Sequence, residues 1–162
     1  MVNYKLIILV KMIDPYNDEY FMQQALIEAK KAYENNEVPV GAVIVSNKQV
    51  IARAHNLTEQ RTDVTAQAER QAITAAAQCY VAKYLKGYRR CVTLEPCKMC
   101  AGALYWSQID KIVFGARDKK RGAGLFSPSL YHPSTLVVNG IKNEECQKIL
   151  KQFFQQKTKS TI

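Results

Sequence analysis

Between Glu19 and Glu34, apolar side chains recur at Phe21, Ala25, Leu26, Ala29 and Tyr33, a spacing that gathers them on one face of a helix. An acidic, turn-prone stretch, Asp14, Pro15, Asn17 and Asp18, precedes this segment and suits a helix start. The period then changes. Val38 to Val45 is β-rich, Ser46-Asn47-Lys48 is turn-like, and Val50 to Ala54 is a second run, which together predict a hairpin. A polar loop leads through Asp63 and Thr65, either of which can cap an alanine-rich helix expected over Ala66 to Ala77. Cys91-Val92-Thr93-Leu94 predicts a short strand that feeds through Pro96 into a third helix ending near Trp106, and Ile112-Val113-Phe114 predicts another strand. Lys119 to Pro133 holds Gly122, Gly124, Pro128 and Pro133 and reads as loop; Leu136-Val137-Val138 and a helix from about Glu144 to Gln156 follow it.

Strand, helix, strand, helix, strand in this order calls for crossover units and a partly parallel sheet, to which the hairpin adds antiparallel strands. The expected class is three-layered α/β. With 162 residues and 48% apolar content the chain can bury one substantial core, so residues 14–162 are expected to form a single domain. Residues 1–13 look unlike the rest and read as an N-terminal extension or a start-site artefact.

Composition narrows the function classes. The apolar run Leu6 to Val10 is too short to span a bilayer and no small-residue cleavage site follows it, so a soluble, cytoplasmic protein is expected. Five cysteines, an odd number with two of them three positions apart, suit a metal or redox site in a reducing compartment better than a disulfide framework. Lys and Arg outnumber acids 23 to 14, a formal charge of +9 that favours a polyanionic partner. A solvated cationic face would give the same count, so charge alone does not name the partner.

The sharpest chemical signal is Pro96-Cys97-Lys98-Met99-Cys100 at a strand-to-helix junction. Cysteines at i and i+3 opening a helix can both face one metal, and the free N–H groups of that helix tip favour the thiolate form a metal needs. Redox chemistry and plain structural cysteines are the competing readings of the same spacing. Two thiolates do not complete a catalytic zinc site, which takes a third protein ligand and a water. The preceding helix start, Thr65-Ala66-Gln67-Ala68-Glu69, is the place to look for that ligand.

Glu37-Val38-Pro39-Val40-Gly41-Ala42-Val43, Ala54-His55-Asn56, Thr65-Ala66-Gln67-Ala68-Glu69, Leu94 to Ala103 and Val113-Phe114-Gly115-Ala116-Arg117-Asp118 resemble, in order and spacing, the motifs of the bacterial tRNA-specific adenosine deaminases. These form part of the cytidine/deoxycytidylate deaminase-like zinc family, and the resemblance runs from about Asp18 to Phe154. It implies a three-layer α/β/α cytidine deaminase-like fold with a mixed five-stranded sheet, one Zn2+ per subunit, and a homodimer acting on a tRNA anticodon stem-loop. It assigns Glu69 to proton transfer, Cys97 and Cys100 to the metal, and Asn56 to the flipped base, with Val38, Pro39, Arg117, Asp118, Phe153 and Phe154 as further substrate contacts.

One position departs from the family pattern. Gln67 stands where the zinc-binding histidine is expected, and it reads either as an amide-oxygen ligand, a poorer donor than imidazole, or as a helix-favouring polar residue with no ligand role. If Asn56 points into the pocket from an extended segment, its neighbour His55 points away. His132 matches no ligand position of the family. Bland readings stand beside the others: Glu69 as a first-turn acid on the helix dipole, Asn56 as a strand-ending turn residue, the terminal lysines as a solvated face, and Phe153 with Phe154 as helix-docking residues. Tyr80, Tyr84 and Tyr88 are expected to pack, and Tyr105 and Trp106 to lie in the core or at a subunit contact. Three functions follow: wobble-adenosine deamination, a catalytically impaired RNA-binding protein of the same fold, or deamination of free guanine or cytosine.

Overall fold

The computed structural model describes residues 14–160, so the expected N-terminal extension lies outside the described residues. Its elements are α1 (Asp18–Glu34), β1 (Gly41–Ser46), β2 (Gln49–His55), α2 (Ala68–Tyr80), β3 (Arg89–Leu94), α3 (Lys98–Ser107), β4 (Lys111–Ala116), β5 (Leu136–Asn139) and α4 (Asn143–Lys159). The strands form one sheet in the order β2-β1-β3-β4-β5. β1 runs antiparallel to both β2 and β3, whereas β3, β4 and β5 run parallel, the mixed sheet that the hairpin and crossover pattern predicts.

Alternation along the strands divides the core into two layers. Ala42, Ile44, Val92, Ile112 and Phe114 face Ala68, Ala72, Ala76 and Leu104 of α2 and α3. Val43, Val45, Cys91 and Val113 face Phe21, Met22, Ala25 and Leu26 of α1. At Gly41 the sheet and α1 approach so closely that a β-carbon would overlap the backbone at Ala25 and Ala29, which is why no larger residue fits there. The Gly41 N–H is taken up by Thr93 Oγ1 of β3 at 3.2 Å.

The starts of the helices differ in how local they are. α1 is capped by the adjacent Asn17, whose side chain accepts from Tyr20 N at 2.9 Å. α2 begins at Ala68 rather than Ala66, and neither Asp63 nor Thr65 caps it: Asp63 Oδ1 instead accepts from Thr65 N and Oγ1 at 2.8 and 2.7 Å. The Ala68 N–H is satisfied by Asn56 Oδ1 at 2.8 Å, a cap brought in from the end of β2. Within the loop expected over 119–133, Ala123–Leu125 forms a single 3-10 turn. Tyr80 and Tyr84 are exposed rather than packed, and only Tyr88 is half-buried, edge-on to Tyr80. Among the described residues no helix is long and apolar enough to cross a membrane.

Candidate active site

Beyond the carboxyl end of β3, at the N-termini of α2 and α3, lies an open cleft of about 590 Å³. Its walls include Val38, Val40, Asn56, Gln67, Glu69, Leu94, Cys97 and Asp118. Such crevices at strand ends are where open α/β sheets take their ligands. Two loops close the sides, each folded around a buried carboxylate. Glu37 accepts from Thr58 Oγ1 at 3.1 Å, Glu59 N at 3.1 Å and Gln60 N at 2.8 Å, which shapes the segment between β2 and α2. Glu95 accepts from Asp118 N and Gly124 N, both at 3.0 Å, and so pins the loop after β4. Replacing Glu37 with Ala strands three donors in a closed space, and we expect a loss of about 3 kcal/mol in chemical denaturation with a rise in KM larger than the fall in kcat.

The floor of the cleft holds the sulfur pair. Gln67 Oε1 lies 3.3 Å from Cys97 Sγ and 3.2 Å from Cys100 Sγ, while Nε2 of the same amide donates to Val64 O at 3.4 Å and leaves the oxygen end to the sulfurs. A tetrahedral ion with bonds of about 2.3 Å to sulfur and about 2.1 Å to oxygen separates those atoms by about 3.6 Å, so the observed spacing fits zinc within a few tenths of an ångström. The donor set is two thiolates and one neutral amide oxygen. No group of three or more His, Cys, Asp or Glu gathers for a metal among the described residues, because the third member here is an amide.

Electrostatics differ sharply between neighbouring groups. The Cys97 thiol is drawn down to about 5, first by a hydrogen bond from Cys100 and then by the backbone N–H groups of the α3 tip. Cys100 is pushed up by the same bond and by burial. Glu69, 4% exposed, has its carboxyl raised by burial, with Arg90 as the chief opposing influence.

The structure brings together Glu69, Cys97, Cys100, Gln67, Asn56, Val38 and Asp118. Other expected site residues stand elsewhere. Pro39 is buried behind the cleft wall, and Arg117 is exposed on the loop after β4, where Arg121 lines the cleft instead. Phe153 is buried against Tyr33 with ring centroids 6.0 Å apart, docking α4 on α1, while Phe154 is 53% exposed. His55 turns to Glu28 of α1 at 3.3 Å, and His132 lies against Tyr105 and Ser134. Thr58, Glu59, Thr62 and Val64 of the β2–α2 loop line the cleft without having been singled out by sequence; the turn-rich composition of that loop is the only cue.

The family model of the cytidine and deoxycytidylate deaminase zinc-binding region matches residues 15–116. The tRNA-specific adenosine deaminase of Bacillus subtilis (strain 168) is 44% identical over 144 residues, covering 86% of this chain and 89% of the relative. That of Aquifex aeolicus (strain VF5) is 44% identical over 143 residues, covering 85% of this chain and 93% of its own. A solved structure from studies of A-to-I editing by tRNA:A34 deaminases at the wobble position superposes with a TM-score of 0.75 at 40% identity, over 81% of this chain and 99% of that one. The guanine deaminase of Bacillus subtilis superposes less fully, with a TM-score of 0.60 at 33% identity over 62% of this chain and 65% of that one.

Proposed function

The chain belongs to the cytidine and deoxycytidylate deaminase zinc-binding family, and from that premise we propose that it is a tRNA adenosine deaminase, converting the wobble adenosine of an anticodon to inosine with release of ammonia. The observation that carries this reading is the buried Glu69 carboxyl at the mouth of α2, lining the same cleft as Cys97, whose sulfur shares the Gln67 oxygen with that of Cys100. Identity of 44% to the tRNA-specific relatives, against 33% to the guanine deaminase, favours a base within tRNA over a free base.

Cys97, Cys100 and the Gln67 oxygen would hold a zinc ion, which when bound would supply the Lewis acidity for a hydrolytic nucleophile near neutral pH. Glu69 moves the protons. It accepts one from the attacking water and delivers one to the departing amine, so water is consumed, the C6–N bond breaks and a C6 carbonyl remains. Burial brings its raised pKa closer to the working pH, where a group can both take and give a proton. Asn56, with its oxygen held by Ala68 N–H, has its NH2 group left for an extruded base, and Val38 with Leu94 gives that base an apolar wall.

RNA binding, like the homodimer, belongs to this proposal. Arg117, Lys119, Lys120 and Arg121, with Asp118 between them, follow β4 at the rim, where cations suit the phosphates flanking an extruded nucleotide. Phe154 is available on α4 for contact with RNA, whereas Phe153 and Pro39 act through packing. Trp106, 76% exposed at the end of α3 beside Tyr105, is the surface we assign to the subunit contact. The cytoplasmic location expected from the sequence belongs to the same proposal.

The experiment presents zinc-supplemented protein with an anticodon stem-loop carrying a wobble adenosine, beside free guanine, cytosine and adenosine. Inosine in the stem-loop, with binding that weakens steeply as salt rises, is the expected result. No inosine from zinc-loaded protein that binds the stem-loop would leave the impaired RNA-binding reading in its place, and turnover of a free base alone would leave the third.

A further inference from the structure

A second cavity, of about 520 Å³, opens along the outer edge of β2, the last strand on its side of the sheet. Glu28 and Lys31 of α1, Arg53 and His55 of β2, Arg61 of the β2–α2 loop and Arg70 of α2 line it. Glu28 is its one acid, and it is already committed: the side chain is 3% exposed and holds Lys31 Nζ at 2.8 Å and His55 Nδ1 at 3.3 Å. The three arginines are exposed, and among the described residues none of them is ion-paired to a carboxylate. Arg53 donates to the Gln24 amide and Arg70 Nε to the Thr65 carbonyl, each at 2.9 Å, so both bonds go to neutral groups. Asp63, two residues beyond Arg61, turns its carboxylate to Thr65 instead. The placement is selective. Of the seven arginines in the chain, Arg89 is paired with Asp18 and Arg90 is buried, and the remaining five stand in this groove or on the loop after β4.

We propose that this groove is a second phosphate-binding surface, which holds the backbone of the RNA whose base enters the cleft. Groove and cleft are the two sides of one segment: His55, Leu57 and Arg61 face the groove, while Asn56, Thr58 and Thr62 face the cleft. A nucleic-acid strand leaving the cleft over that wall comes onto the arginines, as one leaving over the opposite wall comes onto Arg121. Guanidinium groups fork onto phosphate oxygens and hold a backbone in register without reading its bases. The arginines come from a strand, a loop and a helix spread along an open groove, which suits a run of phosphates better than one small anion. Protein side chains would find little to pack on, because Leu57 is the largest apolar residue of the lining. The inference rests on reading the substrate as RNA.

Its test is a salt series of fluorescence anisotropy on a labelled tRNA, comparing the full-length parent with R53Q/R70Q, R53K/R70K and K83Q/K86Q. The last pair removes equal charge from exposed positions beyond the far end of α2 and serves as the control. Under the proposal, R53Q/R70Q weakens binding about tenfold and lowers the slope of log affinity against log salt by about 2, because each phosphate contact contributes about 0.9. R53K/R70K keeps the slope, and K83Q/K86Q leaves both quantities near those of the parent. Equal losses in the two neutralised pairs overturn the proposal. So does unchanged RNA affinity in R53Q/R70Q, and a loss of inorganic phosphate binding in that variant would then assign the groove to a small anion. Should R53Q/R70Q not fold, R61Q decides the matter with an expected drop of about 1 in the slope, and an unchanged slope there overturns the proposal. Because the readout is binding, failure here leaves the deamination proposal standing, and a parent that binds tRNA without deaminating it leaves the groove measurable. A parent with no salt-dependent binding of tRNA removes the RNA reading beneath both.

Discussion

Replacing Glu69 with Gln lowers kcat for inosine formation by about 10³- to 10⁴-fold while changing the affinity for the anticodon stem-loop by less than about threefold. The substitution keeps the shape of a side chain that is only 4% exposed and removes its capacity to exchange protons, so the loss falls on the chemical step. Single-turnover assays at saturating protein, beside fluorescence anisotropy on the labelled stem-loop, separate the two quantities. A first-turn acid that served only to complement the α2 dipole would behave differently. Its replacement would cost up to about 1 kcal/mol of stability and leave turnover within a few-fold. Burial also makes the variant fold well, because a neutral amide avoids the desolvation that raises the Glu69 pKa. A variant that is stable, binds RNA and is catalytically silent is therefore the expected product.

Much of this site is legible in the sequence because its signals are local. The change from helical spacing in α1 to the β-rich run after Val38 places the hairpin, and the cysteine pair behind Pro96 places a helix tip at the end of a strand. What the sequence conceals depends on partners far along the chain. Asn56 caps α2 from another element, so the local caps Asp63 and Thr65 are passed over and the helix starts later than its composition suggests. Glu37 and Glu95 look like ordinary polar positions flanking strands until their loops fold over them. The strand predicted from Cys91 starts at Arg89 instead and buries Arg90 whole. Adjacent aromatics on a helix, such as Phe153 and Phe154, cannot share one face, and the structure shows which of them is core.

Restoring imidazole at position 67 is the second large effect. Gln67 precedes α2 in extended backbone, with φ −79° and ψ 149°, and its side chain reaches the two sulfurs from outside the helix. A His side chain is shorter and its nitrogen is a stronger donor to zinc, so Q67H keeps the approach and improves the bond. We expect zinc affinity, measured by competition against a chromogenic chelator, to rise at least about tenfold, with kcat/KM at limiting zinc rising in parallel. Saturating zinc then separates two readings of the parent. If kcat of the parent approaches that of Q67H once both are loaded, the glutamine site is competent and merely weak in holding its metal. If Q67H remains far faster when both are fully loaded, the amide oxygen fails to support the chemistry itself, and the native chain is an impaired member of its family that binds RNA. The Gln67 oxygen accepts from both sulfurs, at 3.3 Å from Cys97 Sγ and 3.2 Å from Cys100 Sγ, so the donor already stands where the metal would need it, which favours the first outcome.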